Sequence, residues 1–331
     1  MAESNGKDYV IGVKIGATKI SCGLFDTRLT MLRIHKVSTK ADRGAKTVVE
    51  RVARCVKDAV DECDLTLKRV RAIGIGAPGT VDAVKGDVIF AHKIGWENVA
   101  LGDNLESQLQ IPVLVENDCN LCTLAVYVQE LKSKPRNLIG IFIGSGIGGG
   151  MIIGGDLFSG YNHAAGEIGH MVLHVGGPKC GCGNQGCFET LASRRGILRR
   201  IEAAVKDGQK TVLTEMVGED LKDLRSGDLR KALSKGDRVV EKAVEETARC
   251  IGAAVGNLIN LINPEVVTLG GGVISALESE LLPTIRKTAR EHTMRGTANG
   301  IEVFATQLGD DAGIIGGAIL ARRNARENGK G

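Results

Sequence analysis

Residues 11–18, IGVKIGAT, return in the same form at residues 139–146 as IGIFIGSG. Each copy is a run of aliphatic residues that breaks into a turn of very small side chains. A repeat of this kind suggests that one structural unit has been built twice, the alternative being chance likeness between two strands rich in glycine and isoleucine. It predicts two related α/β domains, each opening on a strand–turn–strand. The length agrees, because 331 residues exceed what a single hydrophobic core normally spans.

The flanking segments fill in the pattern. KISCGLFD reads as the hairpin partner of the strand at 9–15, while VRAIGIGAPG and IPVLVEND read as further strands that end in turn-forming or polar residues. Residues 45–65 carry Val48, Val49, Val52, Cys55, Val56 and Val60 at helical spacing, which predicts a helix. The charged stretch 196–250 predicts solvated helices, and no chemistry is assigned to it. CIGAAVGNLINLINPEVVTLGGGVI predicts a helix, a turn at Asn263-Pro264, a strand and a glycine turn. DAGIIGGAILARR predicts a close-packed helix with a basic end, and the tail ENGKG is expected to fray.

Composition excludes several classes. The net charge is +4 and aromatic residues make up 3% of the chain, without a basic stripe interleaved with aromatics, so nucleic acid is not an expected partner. No apolar run approaches the ~18 residues that span a bilayer, and MAESNGKDYV has no signal-peptide hydrophobic region. A cytoplasmic protein is expected.

The 45 glycines gather into GSGIGGGMIIGG, HVGGPKCGCGNQGC, TLGGGV and AGIIGGA. Glycine turns leave backbone N–H groups open to an anion, so the paired turns at Gly16–Lys19 and Gly144–Gly146 could grip a triphosphate; a plain turn is the alternative at each. In VLVENDCNLC, Asn117 and Asp118 follow a strand and precede a helix. A carboxylate at a strand's carboxyl end could accept a hydroxyl proton, or one of the two residues could cap the helix. The CNLC run matches a redox Cys-x-x-Cys but reads better as helix residues.

EIGHMVLHVGGPKCGCGNQGCFE is the strongest local signal. Three thiols, Cys180, Cys182 and Cys187, with one imidazole make the closed tetrahedral shell of a structural zinc. Spacing leaves His170 and His174 both open as the nitrogen ligand. A metal there would staple the loop and fix Glu167 and Glu189, whose carboxylates could accept hydroxyl hydrogen bonds or serve only as surface charge. In VVTLGGGV, a nucleobase or ribose could rest on Gly270–Gly272, or the glycines form only a tight turn.

Together the first hairpin, APGTVD, ENDCN, IGSGIGGGMI, GEIGH, CGCGNQGCFETLAS and TLGGGV resemble, in order and over nearly the whole chain, the ROK family of sugar kinases, which are bacterial glucokinase-like. The resemblance implies an α/β fold of two actin-like (ribonuclease H-like) domains, with a nucleotide and sugar cleft between them and a zinc-stapled loop. Residues 1–120 would form the small domain, completed by the C-terminal helix 312–331, and 121–311 the large one. It implies ATP-dependent phosphorylation of a hexose 6-hydroxyl, glucose first and N-acetylhexosamine next, with Mg²⁺ and structural Zn²⁺ as cofactors.

The resemblance makes Asp118 the catalytic base. It assigns Asn117, Glu167, His170, Glu189 and Gly79 to the sugar, and chooses His170 with Cys180, Cys182 and Cys187 for zinc. Gly16, Ala17, Thr18 and Lys19, with Gly144, Ser145 and Gly146, would flank ATP phosphates, and Gly270, Gly271 and Gly272 the adenosine. A dimer or tetramer is implied.

Two departures stand out. The family usually opens its first hairpin with Asp-x-Gly-Gly-Thr, where the Asp helps to place Mg²⁺; this chain has Lys14 and Ala17. The family also tends to carry Asn shortly before the Gly-Trp of AHKIGWEN, where this chain has Lys93, or His92 with a gap. Lys14 therefore raises a second reading, a sugar-binding relative with impaired or absent kinase activity. A repressor of the family is not expected, because only eight residues precede Tyr9, too few for a helix-turn-helix segment.

Overall fold

The computed structural model describes residues 8–222 and 224–327. The opening MAESNGK and the tail beyond Glu327 lie outside them. In chain order the first elements are β1 (Tyr9–Ile15), β2 (Lys19–Asp26), β3 (Met31–Ser38), α1 (Ala45–Asp61), β4 (Val70–Ala77), β5 (Thr80–Asp82), β6 (Asp87–Ala91), β7 (Trp96–Val99), α2 (Leu101–Leu109), β8 (Val113–Asn117) and α3 (Asp118–Ala125). There follow β9 (Leu138–Ile143), β10 (Ile147–Ile153), β11 (Asp156–Leu157), α4 (Phe188–Ala192), α5 (Arg194–Lys206), α6 (Leu213–Val217), α7 (Ser226–Ser234), α8 (Arg238–Ile262), β12 (Val266–Gly270), α9 (Gly272–Glu291), β13 (Glu302–Ala305) and α10 (Ala312–Glu327).

The chain divides into two compact units. Residues 8–132, 157–166 and 311–327 form one, and 133–156 with 167–222 and 224–310 the other. The division expected between residues 120 and 121 falls inside α3, so the first unit runs on past it to Lys132.

In the first unit the main sheet has the order β3-β2-β1-β4-β8, and a small sheet has the order β5-β6-β7. Strand β1 pairs antiparallel with β2, Ile15 opposite Ile20, and parallel with β4. Side chains alternate between the faces of a strand, and the two faces of β1 meet different partners. Ile11, Val13 and Ile15 share a core with Val48, Val52, Val56 and Val60 of α1. The opposite face lies under α10, where Gly12 and Gly74 let two backbones touch. A Cβ on Gly12 would stand 1.8 Å from the Ile314 carbonyl oxygen, and one on Gly74 2.0 Å from that of Gly317. The AGIIGGA run is thus what lets the helix seat on the sheet. Gly12→Ala is expected to lift α10 and cost about 3 kcal/mol by overpacking, read as a lower denaturation midpoint with little change in slope.

The second unit repeats the plan. Its sheet has the order β11-β10-β9-β12-β13, with β9 antiparallel to β10 and parallel to β12. The repeat in sequence is thus a repeat in topology: a hairpin whose first strand also pairs, in parallel, with a strand from later in the chain. Ile139, Ile141 and Ile143 of β9 pack with Ile251, Val255 and Ile259 of α8 and with Leu277 and Leu281 of α9. Helix α8 ends at Asn263, which takes the left-handed conformation (φ 49°) at the expected turn. Stretch 196–250 is helical as expected, and Ile197, Ile201, Leu229, Val240 and Val244 bury one face of it. Sequence placed no helix after the glycines, yet α9 starts there and carries Pro283. Among the described residues, no helix is long and apolar enough to cross a membrane.

Candidate functional site

In the first unit, β8 delivers Asn117 and Asp118 to its carboxyl end, the usual place for ligands in an open α/β sheet. Asn117 keeps extended backbone and its Oδ1 accepts from the N–H groups of Cys119 (2.8 Å) and Asn120 (3.2 Å). The helix cap is therefore Asn117, and Asp118 is left half-buried as the first residue of α3. Asn117 Nδ2 also donates to the Gly79 carbonyl at 2.9 Å, which leaves one amide hydrogen for a ligand. Gly79 (φ 87°) must be glycine, since a Cβ there would lie 2.1 Å from the Phe90 carbonyl oxygen. Beneath them Glu116, 5% exposed, accepts from the Asn117 N–H (2.7 Å) and from Asn120 Nδ2 (3.0 Å). Burial pushes the Glu116 carboxyl above the usual range, in spite of these two bonds. Asn117→Ala is expected to cost about 1 kcal/mol for the lost cap, whereas Asn117→Asp keeps it; chemical denaturation of both variants checks this. Cys119 and Cys122 are residues of α3, and Cys122 is buried in the helix packing.

The turn between β1 and β2 is closed by the Gly16 N–H donating to the Lys19 carbonyl at 2.9 Å. Thr39, fully buried, pins it from below: its hydroxyl donates to the Gly16 carbonyl at 2.6 Å and its N–H to that of Thr18 at 2.9 Å. Ala17, Thr18 and Lys19 are exposed. Lys14 lies on the α10 face of β1. Its stem fills the space over Gly313, with Cδ only 2.7 Å from where a Cβ of that glycine would stand. His92 and Lys93 are both exposed, on a 3-10 turn His92–Ile94.

In the second unit, the turn Gly144–Gly146 is closed by the Gly144 N–H donating to the Gly146 carbonyl at 2.8 Å. Gly270 ends β12, Gly271 (φ 86°) turns the chain, and α9 starts at Gly272. The two glycine runs lie side by side, because a Cβ on Gly271 would stand 2.5 Å from the Ile143 carbonyl oxygen, one residue before the first turn. The N-terminus of α9 adds a partial positive charge there.

The same unit gathers His170, Cys180, Cys182 and Cys187, with one donor atom from each within 4.8 Å of the others. His170, not His174, joins the thiols. Cys182 Sγ and Cys187 Sγ are 3.7 Å apart, and Cys180 Sγ is 3.6 Å from His170 Nδ1. This group could hold a metal ion. Burial, then the neighbouring thiols, pushes Cys187 up to about 12, and burial also raises Cys180. Burial acts the same way on Cys182, but hydrogen bonds from the Asn184 N–H and the adjacent thiols outweigh it and lower that thiol. His170 turns its other nitrogen, Nε2, toward Glu167 Oε2 at 3.9 Å. Glu189, two residues beyond Cys187, accepts the Ile147 N–H on Oε2 at 2.8 Å.

Sequence missed three arginines of α5. Its first N–H, from Arg194, donates to the Gly144 carbonyl at 2.9 Å. Arg199 donates to the Thr190 carbonyl at 3.0 Å, and Arg200 to the Leu191 carbonyl. They cap the open carbonyls of the five-residue α4, which carries Glu189. The signal was a short helix with no glycine stop, followed by basic residues within reach of its end.

The sequence model of the ROK family matches residues 10–324. A glucokinase of Halalkalibacterium halodurans is 31% identical over 324 residues, covering 98% of both chains. An N-acetyl-D-glucosamine kinase of Vibrio cholerae is 30% identical, over 93% of this chain and 98% of that one. Among solved structures, a ROK family glucokinase from Streptomyces griseus in complex with glucose and AMPPNP superposes with a TM-score of 0.83 at 34% identity, over 95% of this chain and 99% of that one.

Proposed function

This chain belongs to the ROK family, and we propose that it transfers the γ-phosphoryl group of ATP to the 6-hydroxyl of a hexose, with glucose as the substrate. The observation that carries this reading is the Asn117–Asp118 pair at the end of β8. The cap is met entirely by Asn117, which frees the Asp118 carboxylate to act as a base. Asp118 accepts the 6-hydroxyl proton as that oxygen bonds to the γ-phosphorus and the bond to the β-phosphate bridging oxygen breaks. In the second unit Glu167, His170 and Glu189 are assigned to hexose hydroxyls. Glu189 accepts the Ile147 N–H on Oε2, which ties its carboxylate to the start of β10. The turns at Gly16–Lys19 and Gly144–Gly146 are assigned to the phosphates, and Gly270–Gly272 to the adenosine.

Zinc fits the Cys/His cluster. A tetrahedral shell with bonds of about 2.3 Å to sulfur and 2.0 Å to nitrogen separates its donors by about 3.5–3.8 Å; two of the donor pairs stand at 3.7 and 3.6 Å, and all four donors lie within 4.8 Å of one another. When bound, zinc supplies a cross-link and holds its three cysteine ligands as thiolates. Coordination through Nδ1 would fix the remaining proton of His170 on Nε2. That N–H is then a donor toward Glu167 and a sugar oxygen.

The first turn does not fit a role in holding Mg²⁺. Lys14 stands where the family's strand carries aspartate, and an ammonium ligates no cation. This supports the second reading, a sugar-binding relative whose phosphoryl transfer is slow. A coupled ADP-release assay over a panel of hexoses, zinc-loaded and with Mg²⁺, separates the two. Turnover with glucose above N-acetylglucosamine is the expected result, and no turnover on any hexose overturns the kinase reading. Lys14→Asp is expected to raise a slow wild-type rate about tenfold if the missing carboxylate limits it. A cytoplasmic dimer or tetramer belongs to the same proposal and is read by light scattering.

A further inference from the structure

The β10 residue that leaves the Gly144–Gly146 turn is Ile147, and its flanking peptides are held from two directions. On one side its N–H donates to Glu189 Oε2 at 2.8 Å. On the other, its carbonyl oxygen lies against the bare Cα of Gly169, where a Cβ would stand 2.0 Å away. Gly169 is bonded to His170, and Glu189 stands two residues after Cys187. Both clamps are thus extensions of residues in the Cys/His cluster. The cluster itself closes the segment between them, with Met171 accepting the Phe188 N–H at 2.8 Å and Val172 bridged to Cys187. Gly144, at the other end of the turn, is fixed through its carbonyl by the Arg194 N–H, from the helix that follows α4.

We propose that the Cys/His cluster sets the geometry of the β9–β10 turn through Ile147, so that nucleotide affinity depends on metal occupancy. The proposal rests on the reading that this turn meets nucleotide phosphates. Phosphate recognition by backbone N–H groups tolerates little misplacement, because each donor must point at the anion. Without a metal, four crowded donors of which two are buried lose their common centre, and both clamps on Ile147 lose their anchor. The coupling is between two sites of one unit and is reciprocal.

The test is calorimetry with AMPPNP on the full chain, without sugar. Gly169→Ala pushes on the Ile147 carbonyl, and Glu189→Ala removes the acceptor of its N–H. Each is expected to raise the AMPPNP Kd about tenfold, a usual size for such coupling, with one zinc still bound by elemental analysis. Glu189→Gln keeps an oxygen for the N–H, and should bind AMPPNP within about threefold of wild type. Variants that hold zinc and bind AMPPNP as wild type does overturn the coupling alone. A wild-type chain that binds no AMPPNP overturns the reading of the turn, and the coupling with it. A measurement free of variants uses a chromophoric chelator: saturating AMPPNP should tighten zinc retention by about the same tenfold factor. Zinc affinity unmoved by bound nucleotide refutes the proposal.

Discussion

Asp118→Asn is expected to lower kcat about a thousandfold, within the range a positioned general base supplies, while glucose affinity stays within a factor of about three. The substitution keeps size and backbone, and the helix cap belongs to Asn117 and is untouched. What it removes is the site for the departing hydroxyl proton. An asparagine also accepts a hydrogen bond, so ground-state binding is kept and the loss falls on the transition state. Glu116→Gln is the control. That carboxyl is buried, bonded to the Asn117 N–H and Asn120 Nδ2, and raised by its burial. A neutral amide of the same shape should cost less than tenfold in kcat. Single-turnover kinetics with calorimetry on both proteins checks the pair. If Asp118→Asn keeps more than about a tenth of the wild-type rate, Asp118 is not the base.

The second large effect is expected at the cluster. Cys187→Ser should abolish zinc binding, lower Tm by roughly 5 °C or more, and reduce kcat/KM at least about a hundredfold. Cys187 is fully buried, and it is the residue from which α4 starts. Around it the loop has almost no apolar packing of its own: residues 174–186 carry eight glycines, cysteines or asparagines and no large buried hydrophobic side chain. A serine hydroxyl does not replace a thiolate ligand, so the loop loses its cross-link and Glu189 its footing. Zinc content, differential scanning calorimetry and steady-state kinetics on one preparation test this. A serine variant with wild-type Tm and full activity would show that the four donors have no structural role.

Much of the architecture was legible because it follows local rules. The β1 and β9 repeat, the α1 stripe at Val48, Val52 and Val56, and the Asn263 stop are each readable over a few residues. Other features depended on distant partners. Whether Asn117 or Asp118 caps α3 turns on which side chain reaches the Cys119 N–H, and no spacing rule separates adjacent candidates. The stretch around Arg199 and Arg200 reads as solvated charge until α4 is seen to end against them. Lys14 could have faced a core or a ligand; α10, almost three hundred residues later, gives its stem a place over Gly313.

Sequence by itself therefore determined the two-fold α/β plan, the four metal-competent donors apart from the choice between two histidines, and the acid at the end of β8. These are set by residue type and short spacing, which act within one turn or one strand. Tertiary structure alone decided that His170 joins the thiols with Nδ1, that Gly271 brings its glycine run against Ile143, and that Glu189 and Gly169 hold Ile147 between them. Those are contacts between segments far apart in the chain. Their geometry depends on backbone approaches of a few ångströms, and glycine permits such approaches without specifying its partner.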